Sequence, residues 1–175
     1  MTNVNDICNA ICIFDPKSSF NSVKISGTIS FHQCPDHTSA VVTFALKDLK
    51  PFAIHGIHIH NLGITKMEGA CNSTCQHYNP QNREHGSIEL YGENRHAGDL
   101  INNLVADAKG EFNFSYEDNL IDVSDIFGRS IVIHSGVDDL GKYRNDYTDK
   151  ARQKESSTTG NAGSRIACAL IGRSS

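Results

Sequence analysis

The sequence predicts an all-β domain, an antiparallel sandwich or barrel of seven or eight short strands. Three observations predict it. Apolar residues recur with period two, as on half-buried strands. No long amphipathic helix is visible. Hydrophobic residues reach only 38%, with 7% aromatics and no Trp, which suits a modest β core with long polar loops. At 175 residues the chain fits a single domain over 1–175.

Taken in order, Ala10–Phe14 is a short β candidate, and Val23–His32 alternates apolar and polar residues without a break. Val42, Phe44 and Leu46 repeat the pattern, as do Phe112, Phe114 and Tyr116 against Asn113, Ser115 and Glu117. His55–His60, Leu100–Ala106, Ser130–His134 and Arg165–Ile171 complete the set, and Asp107-Ala108-Lys109-Gly110 reads as a hairpin turn feeding a strand at Glu111. Two segments break this spacing, Asn61–Gly98 and Ser135–Ser164. Both are polar, and loops of such length are usually functional.

A formal net charge of −4 makes nucleic acid an unexpected partner. Met1–Phe20 carries Asp6, Asp15 and Lys17 with no sustained apolar run, so neither a signal peptide nor a membrane span is expected, and the expected location is the cytoplasm. Six Cys do not make a disulfide scaffold in a chain of this length, and nine His is a high number.

The histidines cluster. Period two sends His58 and His60 to one face, roughly 7 Å apart along the strand, where two imidazoles can chelate one transition metal; surface histidines on an edge strand are the competing reading. His77, His85, His96 and Asp99 follow at spacings of eight, eleven and three residues. Three imidazoles and one carboxylate make a closed tetrahedral set of the structural zinc type, and metal binding would offset the ordering entropy of so long a loop. Imidazole suits both zinc and copper, so ligand softness does not choose between them. His134, closing the apolar run Ile131-Val132-Ile133, is a further metal candidate or a strand-end histidine. His32 and His37 read as structural or surface residues.

These motifs together resemble the copper–zinc superoxide dismutases: His55-Gly-Ile-His-Ile-His60, His77-Tyr-Asn-Pro80, His85-Gly86, Arg95-His-Ala-Gly-Asp99, Val132-Ile-His134, Asp138-Asp-Leu-Gly-Lys142 and Thr159-Gly-Asn-Ala-Gly-Ser-Arg-Ile-Ala-Cys168. The similarity runs from about residue 10 to 172. It implies an eight-stranded Greek-key barrel, usually a homodimer, that converts superoxide to dioxygen and hydrogen peroxide. It further implies one copper ion on His58, His60, His77 and His134 and one zinc ion on His77, His85, His96 and Asp99, with His77 bridging both. Asp138 matches the carboxylate linking His58 to His85, and His55 matches a structural strand histidine. Arg165 matches the arginine beside the copper channel, which Thr159 would narrow, so that His77 and Arg165 become the expected catalytic residues.

Cys71 and Cys168 match the family's intrasubunit disulfide. Cys8, Cys12, Cys34 and Cys75 are then free, with Cys12 expected to be buried; Cys71-x-x-x-Cys75 as a thiolate metal site is the alternative. Superoxide and a possible copper chaperone are the expected partners, with no nucleic acid and no membrane. The chain departs from the pattern in the lengthened stretches Ile64–Ala70, His85–His96 and Tyr143–Thr158, and in a slightly shorter Ser124–Gly128. Arg173 also falls where an apolar C-terminal contact is usual. Charges in the last long loop, among them Asp146, Lys150, Arg152 and Glu155, match no steering residue one by one. Gly63, Phe127 and Ile171 are expected near a dimer contact. A copper store, an inactive homologue and a zinc hydrolase are the rival readings. The bridging position of His77, the intact copper set and the closing Asp99 weigh against each.

Overall fold

A computed structural model describes residues 8–18 and 20–174; residues 1–7 and 19 of the N-terminal segment read for a leader therefore lie outside the described residues. Eight antiparallel strands form one sheet: β1 (Asn9–Phe14), β2 (Ser26–Gln33), β3 (Ala40–Lys47), β4 (Ile54–His60), β5 (Asn103–Val105), β6 (Phe112–Asp118), β7 (Ser130–His134) and β8 (Arg165–Ser174). Their order is β5-β4-β7-β8-β1-β2-β3-β6, so the chain crosses the barrel between β3 and β4 and again between β6 and β7. The two terminal strands of the sheet, β5 and β6, leave a cleft of about 430 Å³ lined by Ile88, Leu100, Phe112, Phe114 and Tyr116. The barrel is thus nearly closed.

Alternation decides the core. Ala40, Val42, Phe44 and Leu46 of β3 point inward while Thr43 and Lys47 face solvent. The Phe44 ring meets Phe112 at 5.6 Å between centroids and Tyr116 at 6.3 Å. Strands β4 and β7 differ, because they are buried on both faces. Their inner face is Ile57 and Ile59 against Ile131 and Ile133, and their outer face is His58, His60, Val132 and His134. The two long segments cover that outer face. Val132 packs there with the Cys71–Cys168 disulfide, alongside Phe20 and Ile64.

Three expectations change. Asp107–Gly110 turns as read, with Lys109 N and Glu111 N donating to Asp107 Oδ1. It is not a hairpin, because the strands it joins, β5 and β6, pair with β4 and β3 and not with each other. Strand β5 is shorter than Leu100–Ala106, since Leu100 and Asn102 adopt left-handed backbone conformations (φ 50° and 60°) that interrupt extended structure. The segment 135–164 also contains a helix, α2 (Lys150–Thr158), and a single turn, α1 (Ile88–Tyr91), lies in the other long segment. Of α2 only Ser156 is buried, so no apolar stripe announced it; Asp149, whose side chain accepts from Arg152 N, was the available signal.

One observation bears on the residues expected near a dimer contact. Ile171 is 0% exposed and packs in the core opposite Cys12. Its neighbour Leu170, 49% exposed, is the outward residue, and a Cβ on Gly63 would lie 2.9 Å from Leu170 Cδ1.

Candidate metal centre

His58 and His60 project from β4, His134 from the end of β7 at a register shift, and His77 from the first long segment, where it bridges to His60. All four are buried. Each spends one ring nitrogen on a fixed acceptor. His58 Nε2 donates to Asp138 Oδ2 (2.6 Å), His60 Nδ1 to Cys75 O (2.8 Å), His134 Nδ1 to Gly163 O (3.1 Å) and His77 Nδ1 to Asp99 Oδ1 (2.9 Å). A neutral imidazole that donates from one nitrogen carries a lone pair on the other. Those second nitrogens converge: His60 Nε2 and His134 Nε2 are 3.4 Å apart, and buried His58 Nδ1 and His77 Nε2 have no hydrogen-bond partner. Burial holds His58, His60, His77 and His134 below the ordinary imidazole pKa, which keeps the four rings neutral.

A second set adjoins the first. His77 Nδ1, His85 Nδ1 and His96 Nδ1 lie 2.9, 2.8 and 3.1 Å from Asp99 Oδ1. His96 N and Gly86 N donate to Asp99 Oδ2 (2.9 and 3.0 Å). Burial alone would raise the Asp99 pKa. The charge on His85 and hydrogen bonds from His77, His85 and His96 outweigh burial and hold it well below the usual carboxylate range. His85 also reaches Asp138 Oδ1 through Nε2 (3.0 Å). Burial opposes its protonation, but the Asp99 charge and the hydrogen bonds to Asp138 and Asp99 prevail and push its pKa to about 10. Both ring nitrogens of His85 thus face carboxylate oxygens.

The ligand-capable atoms of each set lie within 4.8 Å of one another, and His77 alone belongs to both four-residue sets. The first, four neutral nitrogens, suits a transition metal that accepts imidazole. The second, three nitrogens and a carboxylate, suits a closed zinc site. A third grouping of His85, Asp138 and Asp139 shares His85 with the second.

A cavity of about 290 Å³ opens over His60, His77 and His134 and is walled by Thr159, Gly163 and Arg165. Glu155, Gln76 and Asn161 also line it; the sequence offered no motif for Gln76, and Asn161 lay inside the Thr159–Cys168 motif without being singled out. Arg165 is anchored by donating from Nη1 to Cys71 O (2.9 Å) and Thr74 Oγ1 (3.1 Å), and from Nη2 to Cys75 O (2.6 Å). The Cys71–Cys168 disulfide ties its strand to that loop, and Cys8, Cys12, Cys34 and Cys75 are free. Cys12 is buried, and burial pushes its thiol pKa up. His55 donates to His134 O (2.8 Å), while His32 and His37 are exposed, away from both clusters. Sequence reasoning missed Asn103, whose side chain pairs with both backbone groups of Asp138 (2.9 and 2.8 Å). It also missed Gly160, packed against His85 and Asp138.

Fold and site together define a Greek-key barrel metalloprotein with two adjoining imidazole ligand sets that share one ring. The family model for copper/zinc superoxide dismutase (SODC) matches residues 25–171, and the chain belongs to that family. It is 38% identical over 154 residues to a protein named superoxide dismutase [Cu-Zn] 1 from Debaryomyces hansenii, covering 86% of this chain and 92% of that one. Among solved structures it is similar to the crystal structure of the clock protein EA4, with a TM-score of 0.73 and 34% identity over 94% of this chain and 93% of the other.

Proposed function

We propose that this chain disproportionates superoxide, converting two superoxide radicals and two protons into dioxygen and hydrogen peroxide, with copper held by His58, His60, His77 and His134 and zinc by His77, His85, His96 and Asp99. The observation that carries the assignment is the pair of buried, unpartnered nitrogens, His58 Nδ1 and His77 Nε2, converging with the free nitrogens of His60 and His134. Copper supplies one-electron redox chemistry when bound, and zinc supplies charge and order without redox chemistry.

The protein's own groups then have distinct tasks. Arg165 draws the superoxide anion into the cavity: its guanidinium is fixed by four acceptors, Cys71 O, Asn72 O, Thr74 Oγ1 and Cys75 O, so little reorganisation is needed when an anion arrives. Thr159, whose Oγ1 donates to Glu155 Oε2 (3.1 Å), narrows the cavity beside it. His77 lines the cavity, and its buried Nε2 is the atom at which a proton is held and released, while Nδ1 stays on the Asp99 side. Asp138 fixes the orientation of His58 and His85 together.

The reading extends to a single domain over 1–175, supported by one sheet that takes in every described strand. A homodimer is supported by the exposed Leu170 beside Gly63, which also lies against Gly128, the residue after Phe127. Four free cysteines accord with a reducing, cytoplasmic location. Burial of the copper ligands favours delivery by a copper chaperone over capture of free ion. No helix among the described residues is long and apolar enough to cross a membrane.

The test is to measure copper and zinc per chain, then assay superoxide removal before and after copper is stripped with zinc retained. Activity is expected to vanish with copper and return on reloading. Full activity in protein free of any redox metal overturns the proposal.

A further inference from the structure

The lengthened segments His85–His96 and Tyr143–Thr158 meet in the structure. Arg144, only 7% exposed, reaches from the second into the first. Its Nη1 donates to His85 O (3.3 Å) and Asn94 O (3.2 Å), and its guanidinium lies over the Tyr91 ring, 3.3 Å from the centroid. The Tyr91 hydroxyl donates back to Gly141 O (2.8 Å). From the other side, His85 N donates to Ser157 O in α2 (2.8 Å). Both backbone groups of His85 are therefore held by the same extension.

That extension is braced internally. Ser156 Oγ, the buried side chain of α2, accepts from Tyr143 N (3.0 Å) and donates to Asp139 Oδ1 (2.9 Å), and Gln153 Nε2 donates to Arg144 O (3.1 Å). The approach is close: a Cβ on Gly86 would stand 2.6 Å from Tyr91 Cδ2 and 3.2 Å from Arg144 Nη1. A buried guanidinium stacked on an aromatic ring and bonded to two carbonyls does not exchange readily for water or for lysine.

We propose that Arg144, stacked on Tyr91, is a positioning residue for the zinc end of the centre: it clamps the His85 peptide so that the imidazole stays between Asp99 and Asp138. The inference rests on reading His85 as a zinc ligand. A loop of this length otherwise depends on the ion itself for its order. The clamp supplies part of that order from protein contacts, so its loss should appear as faster release of zinc.

The experiment uses the full chain with its disulfide intact, as wild type, R144A, R144K, Y91L and H85A. Zinc release to a competing chelator is followed in time, and the visible spectrum is recorded with cobalt(II) in the zinc position. R144A is expected to release zinc at least ten times faster with altered cobalt bands, and R144K and Y91L to release it faster by smaller factors. Millimolar guanidinium chloride should slow release from R144A, whereas equal sodium chloride should not. Wild-type release and cobalt bands in R144A overturn the proposal, as does lowered thermal stability with an unchanged release rate. If R144A does not fold, R144K and Y91L decide: wild-type release in both overturns it. Zinc binding by H85A at wild-type strength instead refutes the ligand assignment beneath it, an outcome separable from failure of the clamp alone.

Discussion

Replacing Gly160 with Ala tests whether the packing around His85 and Asp138 is as tight as the structure requires. Gly160 has φ +65°, and a Cβ there would lie 2.4 Å from His85 Nε2 and 2.5 Å from both Cγ and Oδ1 of Asp138. These are the atoms of the His85–Asp138 hydrogen bond. Neither partner can step aside. His85 Nδ1 is held on Asp99 Oδ1 (2.8 Å), Asp138 Oδ2 on His58 Nε2 (2.6 Å), and Asp138 Oδ1 also accepts from Leu140 N (2.7 Å). The left-handed backbone costs a non-glycine residue about 1 kcal/mol. Losing one buried, charge-assisted hydrogen bond adds roughly 1.5–3 kcal/mol.

G160A should therefore destabilise the metal-free, disulfide-intact protein by about 2.5–4 kcal/mol in a denaturant titration and lower its zinc content after dialysis. Gly128 provides the control: its φ is +75° but a Cβ there meets nothing within 4 Å, so G128A should cost only the backbone term of about 1 kcal/mol. If G160A and G128A proved equally mild and G160A kept full zinc, the geometry argued for the His85–Asp138 pair would be wrong.

Three further outcomes are expected. Reducing the Cys71–Cys168 bridge, whose ends are 97 residues apart, should cost the metal-free protein about 4–5 kcal/mol on the chain-entropy model, seen as a lower urea midpoint; an unchanged midpoint contradicts it. D138N removes the shared carboxylate charge between His58 and His85 and should weaken zinc binding about 10–100-fold in equilibrium dialysis, with undiminished occupancy as the contrary result. Finally, metal-free stability should peak near neutral pH. Burial holds His58, His60 and His77 well below the ordinary value, so the unfolded chain binds protons that the folded one refuses as pH falls below about 6.5, at about 1.4 kcal/mol per pH unit for each ring. His85 acts in the opposite sense: its contribution is complete below about 6.5 and is lost as pH rises through about 10. A flat urea midpoint from pH 8 to pH 5 would be incompatible with neutral buried rings.

Much of this molecule is legible in its sequence where one physical rule acts alone. Strand β3 reads directly because Val42, Phe44 and Leu46 face a core and Thr43 and Lys47 face water. The pair His58 and His60 and the set His77, His85, His96 and Asp99 stand out because imidazole and carboxylate at those spacings suit a metal, whereas joining His77 and His134 to the first pair took the family resemblance. Legibility fails where tertiary context overrides a local pattern. Ile171 and Leu170 are both apolar, and only the barrel's pleat decides which is inside. Helix α2 has caps and good helix formers but no apolar stripe, because it braces a loop and not the core. Arg144 looks like any loop cation until the fold sets it over Tyr91.

The ring nitrogens carry that argument one step further. Sequence can say that His58, His60, His77 and His134 are present, but which nitrogen each turns inward is set by its outer acceptor: Asp138, the Cys75 carbonyl, Asp99 and the Gly163 carbonyl. Those acceptors come from four different parts of the chain, and two are backbone groups that no residue type encodes. Their arrangement leaves His58 Nδ1 and His77 Nε2 buried and unpaired, at roughly 1–3 kcal/mol each in the metal-free protein. The fold therefore holds open a set of lone pairs at its own expense, and a cation that accepts them relieves that penalty. Metal affinity and folding stability are for this reason one linked quantity in this chain, and a substitution at either side-chain acceptor, Asp138 or Asp99, acts on both.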